Sequence, residues 1–411
     1  MPSVCFYFQV HQPFRVKKYK YFDIGEDHEY FNEDGKNNLN NERILNKVAR
    51  KSYIPTNTLL LELLREHPEF KITFSFSGVA LEQMEKYSPE TLRTFKKLVD
   101  TGQVEVLAET YYHSLAFLYS KKEFRRQVDM HKKKVKELFN YEPKIFRCTE
   151  LFYNNDLASE AEKMGYEGIL AEGADKVLGW RSPNFIYKPK TADIDLFLKN
   201  YKLSDDIAFR FSSSDWKEHP LTAPKFSDWI SSINGSGEVV NLFMDYETFG
   251  EHQWESTGIF DFLKQLPGEV LKHPDNDFLT LSEASERYSS VAELDVSYFT
   301  SWADTERDLS AWTGNPMQRD LLRTLYDLED EVLDNADHEM IEEWGRLQTS
   351  DHFYYISTKG LDDGTVHDYF SPYESPYEAF ISYANALNDF KLRIQNLNNN
   401  KKKDGKTKTR S

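Results

Sequence analysis

From its first residues to about residue 280 the chain alternates short, β-rich apolar runs with helical patterns. Residues 4–10 read as a strand that stops at His11-Gln12-Pro13, 56–66 as a helix and 71–75 as the next strand. Helical periodicity over 80–100 leads to a strand at 103–107 and an amphipathic, basic helix over 121–138. A strand at 144–148 opens onto Thr149-Glu150, a helix covers 156–164, and strand 168–171 follows. Further strands are expected at 208–212, 239–245 and 278–281, with a helix near 257–265. Strands that alternate with helices imply parallel βαβ units. About seven such strands are enough to close a barrel.

From about residue 300 the strands stop. Apolar residues recur at helical spacing over 316–335, with Pro316 near the start, and again over 337–348 and 375–396. The organisation predicted is a barrel over 1–295, a helical domain over 296–396 that completes the substrate cleft, and a disordered basic tail over 397–411. The formal charge is −17 although six of the last eleven residues are basic. So acidic a surface repels phosphate backbones and argues against nucleic acid and anionic lipid. No apolar stretch is long enough to span a membrane, and MPSVCFYFQV lacks a secretory signal's basic region and cleavage site. Two cysteines, Cys5 and Cys148, lie in apolar runs and read as reduced, buried thiols of a cytoplasmic protein.

In a parallel α/β barrel the residues just after each strand line the active-site face. That rule selects His11 and Gln12, Glu109 with His113 on the loop beyond it, and Glu150. It also selects Asp245, Glu247, Glu251 and His252 from VVNLFMDYETFGEH. Glu150, flanked by aromatics, is placed for covalent or acid/base work, or else is a helix N-terminal or surface carboxylate. Asp245 and Glu247 share one face if the strand runs through both, and their repulsion would keep one of them protonated as a general acid. A pair neutralised by Arg or a cation fits the same spacing. His11, His113 and His252 suit sugar hydroxyls, and a zinc ion on the same imidazoles stays open. Aromatic residues reach 15% of the chain. Trp254, Trp302 and Tyr111 are candidate platforms for sugar rings, with core packing as the alternative. The polar, aromatic segment 301–315, with Trp302 and Asp304, either lines the cleft or links the domains.

These segments together resemble glycoside hydrolase family 57, the α-amylases, 4-α-glucanotransferases and branching enzymes. The resemblance rests on His11-Gln12-Pro13, on Gly102-Gln103-Val104-Glu105 followed by His113, on Glu150 in FRCTELFY and on Asp245 in MDYETFGEH. A fifth region corresponds to LQTSDHFYYI, with Asp351 and His352, as in α-amylase-like members. One departure is Cys148-Thr149-Glu150, where many members carry Pro-Glu-Cys with a Trp upstream.

The resemblance implies an incomplete (β/α)7 barrel followed by a C-terminal α-helical bundle. It also implies a retaining mechanism on α-glucans or maltooligosaccharides, with no cofactor and no metal assigned. Glu150 would be the nucleophile and Asp245 the acid/base. His11, Gln12, His113, Glu247, His252, Trp254, Trp302, Asp304, Asp351 and His352 would bind substrate. Three alternatives stay open: glucan transfer or branching at the same site, a metal-dependent carbohydrate deacetylase or glycosidase, and a non-catalytic glycan-binding protein.

Overall fold

The computed structural model describes residues 2–33, 35–359 and 371–408, the last ten of these by their backbone alone. The chain forms two compact units. The first comprises Met1–His11, Leu45–Thr110 and Val128–Asp308; the second comprises Gln12–Ile44, Tyr111–Gln127 and Leu309–Ser411. Sequence reasoning draws one boundary near 295, whereas the second unit also takes two segments from the N-terminal half. Both leave the chain just after a barrel strand, where a loop's composition does not say which body it joins.

The first unit is a parallel barrel. Its strands are β1 (Ser3–Val10), β2 (Ile72–Phe76), β3 (Val104–Val106), β4 (Ile145–Phe146), β5 (Gly168–Glu172), β6 (Asp195–Lys199) and β7 (Val239–Asp245). Ladders run β3–β2–β1–β7 in one sheet and β4–β5–β6 in the other. A parallel bridge from Ala108 to Phe146 joins β3 to β4. Asn241 joins β7 to β6: its amide donates to Leu198 O over 2.9 Å and its carbonyl accepts from Asn200 N over 2.9 Å. The ring thereby closes on seven strands, the (β/α)7 form.

Every residue of β1 is buried, as expected of a parallel strand covered on both faces. Alternate side chains point into the barrel, where Cys5, Tyr7, Ile145, Leu170, Phe197, Val239 and Phe243 fill the interior. The other face of the ladder packs rings: Phe8 lies 5.7 Å from Phe74 and 5.4 Å from Tyr246, and Phe95 lies 5.0 Å from Phe76. Much of the aromatic content is therefore core.

Helices start where capping chemistry allows. Asn154 accepts from Leu157 N at the head of Asn155–Lys163, and Asn200 accepts from Leu203 N at the head of Tyr201–Ala208. The latter helix corrects the sequence, which places a strand at 208–212. The strand is Asp195–Lys199, and AFRFS is a helix end and a turn. A five-residue apolar run carries no period long enough to decide between the two. Helicity over 80–100 breaks at Ser88 and helicity over 316–335 breaks at Asp327 and Leu328.

In the second unit, Pro316–Tyr326, Glu329–Asn335, His338–Leu347 and Pro376–Lys408 are helical, with Trp312, Trp344 and Tyr383 fully buried. Backbone helicity continues through much of the expected tail; residues 409–411 lie outside the described residues. Among the described residues no helix is long and apolar enough to cross a membrane.

Candidate active site

The interior polar network of the barrel begins on β1. Tyr7 donates to Gln9 Oε1 over 2.7 Å, Ser75 Oγ donates to the same oxygen over 2.9 Å, and Gln9 Nε2 donates to Glu109 Oε1 over 3.1 Å. Gln9 is the Cα partner of Asp245 in the β1–β7 ladder and of Ser75 in the β1–β2 ladder, so these residues form one layer at the strand ends. Behind Glu109 the buried ring of His131 accepts from Glu109 N at Nδ1 (3.4 Å) and donates from Nε2 to Phe76 O (2.7 Å). Burial lowers its pKa, in keeping with a neutral imidazole that has one donor and one acceptor.

Glu150 follows β4 after three residues. Its backbone is left-handed, φ 55° and ψ 27°, and Leu151 repeats this with φ 51°. Consecutive left-handed residues other than glycine are costly and are held only where the surroundings over-determine them. Trp302 supplies part of that hold. Its indole Nε1–H donates to Glu150 Oε2 over 2.7 Å, and its backbone N–H donates to Glu150 O over 3.2 Å. His113 (φ 52°) and Asp304 (φ 55°) share the left-handed conformation.

Arg147, three residues before Glu150, is fully buried. Among the described residues none of its three nitrogens has a hydrogen-bond partner; Glu109 Oε2 is 3.6 Å from Nη1. Burial works against the guanidinium charge. The charges of Glu109, Glu150 and Asp245 are among those that outweigh it and hold the pKa above its ordinary value. Glu150 and Asp245 thus both lie within the field of one cation. Burial raises the Tyr7 phenol despite Arg147, so it stays protonated.

A second buried charge cluster forms at the ends of β5 and β6. Lys199, the last residue of β6, lies 3.0 Å from Asp205 and 3.8 Å from Glu172, the last residue of β5. Arg307 reaches Glu172 at 2.9 Å, off-line for a hydrogen bond, and stacks 4.1 Å from the Tyr201 ring. Burial pushes the Glu172 carboxyl up to about 7, although Lys199 and Arg307 pull it down. Lys199 stays charged chiefly through Asp205, its closer partner.

The remaining sequence candidates divide between the units. In the first, His11 Nδ1 lies 2.7 Å from Ser77 Oγ, the cap of helix Gly78–Tyr87. Strand β7 ends at Asp245 and Tyr246–Thr248 is a helical turn, so the period-two argument does not extend to Glu247. Instead the Glu247 carboxylate accepts from the Tyr53 hydroxyl. Burial pushes the His252 imidazole down to about 4. Trp254 is 60% exposed, beneath Lys51 and beside a depression of about 620 Å³ that Arg50, Phe260 and Lys264 also line.

In the second unit, Gln12 Oε1 accepts from Arg15 Nη2 over 3.2 Å, and Tyr111 is buried edge-on to Tyr112. His113 is buried with its carbonyl taken by Ser350 N over 2.9 Å. Asp351 opens a short helix and helps keep the buried Tyr355 phenol protonated, and His352 packs against Phe31 and Tyr383. Glu105 serves structure: its carboxylate accepts from Leu281 N over 2.8 Å at the head of helix Leu281–Arg287.

Sequence reasoning missed Arg147, Glu172, Lys199 and Arg307. Arg147 follows a strand the sequence shows and would have been found had cations been weighed beside acids; Glu172 ends β5 one residue beyond the expected strand 168–171, and Lys199 ends β6, a strand the sequence did not show. Arg307 carries no such mark. Among the described residues no group of three His, Cys, Asp or Glu side chains is gathered as metal ligands would be.

A closed parallel barrel of seven strands, with acids at their C-terminal ends, is a framework on which an enzyme's acid/base chemistry can be built. Residues 5–297 match glycosyl hydrolase family 57, and the chain belongs to that family. It is 44% identical over 420 aligned positions to a Methanocaldococcus jannaschii protein whose alpha-amylase name is itself provisional, covering 98% of this chain and 88% of that one. Its fold is similar to that of a family 57 branching enzyme from Thermococcus kodakaraensis. The TM-score is 0.65 at 15% identity, over 90% of this chain and 87% of that one. It is also similar to that of an alpha-amylase from Thermotoga maritima, with a TM-score of 0.57 at 16% identity, over 97% and 92% of the two chains.

Proposed function

We propose that the protein is a retaining α-glucan hydrolase of the α-amylase type, acting on α-1,4-glucans or maltooligosaccharides, with Glu150 as nucleophile and Asp245 as acid/base. The observation that supports this reading is the match of residues 5–297 to the family, and it is in keeping with Glu150, after β4, and Asp245, at the end of β7, both acting on the charge of Arg147. Glu150 attacks the anomeric carbon as Asp245 protonates the departing glycosidic oxygen. Asp245 then deprotonates a water that releases the sugar from Glu150. Such double displacement needs the carboxyl groups about 5–5.5 Å apart.

His11, Gln12, His113, Glu247, His252, Asp304, Asp351 and His352 are proposed to hold sugar hydroxyls, and Trp254 and Trp302 to meet ring faces. The fully buried thiols of Cys5 and Cys148 fit a reducing compartment, and a cytoplasmic location is part of this reading. The test is incubation with maltooligosaccharides and soluble starch followed by product analysis. New reducing ends support hydrolysis, a ladder of longer and shorter chains moves the assignment to transfer, and inactivity of folded protein on every α-glucan overturns it.

A further inference from the structure

The nucleophile's surroundings contain a device that the double displacement does not by itself require. The Trp302 ring has two buried cations near it, with the Arg147 guanidinium carbon 5.0 Å and Lys199 Nζ 5.3 Å from its centroid. Each cation has its own acid, Glu109 at 3.6 Å from Arg147 and Asp205 at 3.0 Å from Lys199. Cations over an indole face are attracted by its π-electrons. They also draw electron density from the ring, which makes the N–H a stronger donor. That N–H ends on Glu150 Oε2.

We propose that Arg147 is a positioning residue for Glu150, acting through the Trp302 indole to fix one carboxylate oxygen and through its own charge to keep the carboxylate ionised. This rests on the reading of Glu150 as nucleophile. A carboxylate that is less basic is also a better leaving group when water displaces it from the sugar. The arrangement explains why a guanidinium is tolerated in a barrel interior without hydrogen-bonded nitrogens, where such burial ordinarily costs several kcal/mol. Its compensation comes from the negative charges around it.

The groups that bear on Glu150 come from every side of the barrel. They are Arg147 just after β4 and three residues before Glu150, Glu109 after β3, Asp245 at the end of β7 and the protonated Tyr7 on β1. Behind Trp302 stand Lys199 with Asp205, and Glu172 with Arg307. Arg147 is the cation whose charge Glu150 acts on, so its removal is expected to leave the acids dominant around Glu150.

The test is the pH profile of kcat/KM for the wild type, Arg147→Met, Arg147→Lys and Trp302→Phe. Arg147→Met moves the acidic limb up by about one to three pH units, which is about 10- to 1,000-fold at a pH below the limb. Trp302→Phe keeps a ring over both cations but deletes the N–H; it moves the limb the same way by less, and it serves if Arg147→Met does not fold. Arg147→Lys keeps the charge and restores most of the shift. In parallel, Glu150→Gly is given α-maltosyl fluoride and azide. Formation of the β-glycosyl azide keeps Glu150 as nucleophile. If the azide product forms and the limb stays in place in Trp302→Phe and in any folded Arg147→Met, the positioning role alone is overturned. If no azide product forms, the assignment of Glu150 falls and this inference falls with it.

Discussion

Asp245 lies directly opposite Gln9 in the ladder between β7 and β1, and the Gln9 amide donates to Glu109 over 3.1 Å. One buried amide thus lies between the proposed acid/base and the acid nearest Arg147. Gln9→Leu deprives Tyr7 and Ser75 of a shared acceptor and Glu109 of a donor. Leaving buried polar groups short of partners costs about 1–3 kcal/mol. Denaturant unfolding of the variant is expected to show that loss; a midpoint and slope equal to the wild type's would show that the network is slack.

The role of Asp245 predicts dependence on the leaving group. Asp245→Asn removes the proton donor while keeping the shape, and kcat/KM on maltooligosaccharides falls by about 10²–10⁴-fold. A substrate whose leaving group needs no proton, such as α-maltosyl fluoride, loses much less in the first step. Equal losses on both substrates would take Asp245 out of the acid role.

How far the sequence reads depends on how local each signal is. Strands β1, β2 and β7 are continuous apolar runs that end on polar residues, so the strand-end rule finds His11 and Asp245 without help. Glu150 lies just beyond β4, where a carboxylate next to an apolar run stands out. Its left-handed backbone was not legible, because the contacts that hold it come from Trp302, 152 positions away. Arg147 reads as a surface cation interrupting a strand, and only the closed barrel turns it inward. Glu247 was misread for a related reason: the strand pattern continues past Asp245, but the backbone turns there. Strand β6 was missed because Asp195 and Lys199 at its ends mask a three-residue apolar centre.

Glu172 predicts a pH dependence of stability. Its folded pKa, about 7, lies above the ordinary value of 4.5, so between those limits the folded protein holds more protons than the unfolded chain. This contribution is fully present below about pH 4.5 and is lost as the pH rises towards 7. Glu172→Gln removes the titration, so its unfolding free energy declines less than the wild type's from pH 4.5 to 7, whatever the offset between the two proteins. Parallel pH curves for the two proteins would place the Glu172 pKa near its ordinary value.

The turn after β7 predicts a contrast between two glycines. Gly250 closes the Asp245–Gly250 motif at φ 102°, and a Cβ there would stand 2.0 Å from the Lys51 carbonyl oxygen and 3.1 Å from Phe260. Gly258, eight residues on, has φ 83° and open space where a Cβ would go. Alanine at Gly258 meets only the left-handed backbone cost, about 1–2 kcal/mol. Alanine at Gly250 meets that cost and a backbone collision that no rotamer relieves. Relief requires the turn to move, and the turn carries Glu247 with its Tyr53 contact and Gln253, whose amide holds Ala208 O. Gly250→Ala is therefore expected to lower the thermal midpoint well beyond Gly258→Ala and to reduce kcat, while Gly258→Ala keeps wild-type turnover. Equal midpoints for the two variants would mean that the close approach to Lys51 is not what demands glycine in the motif.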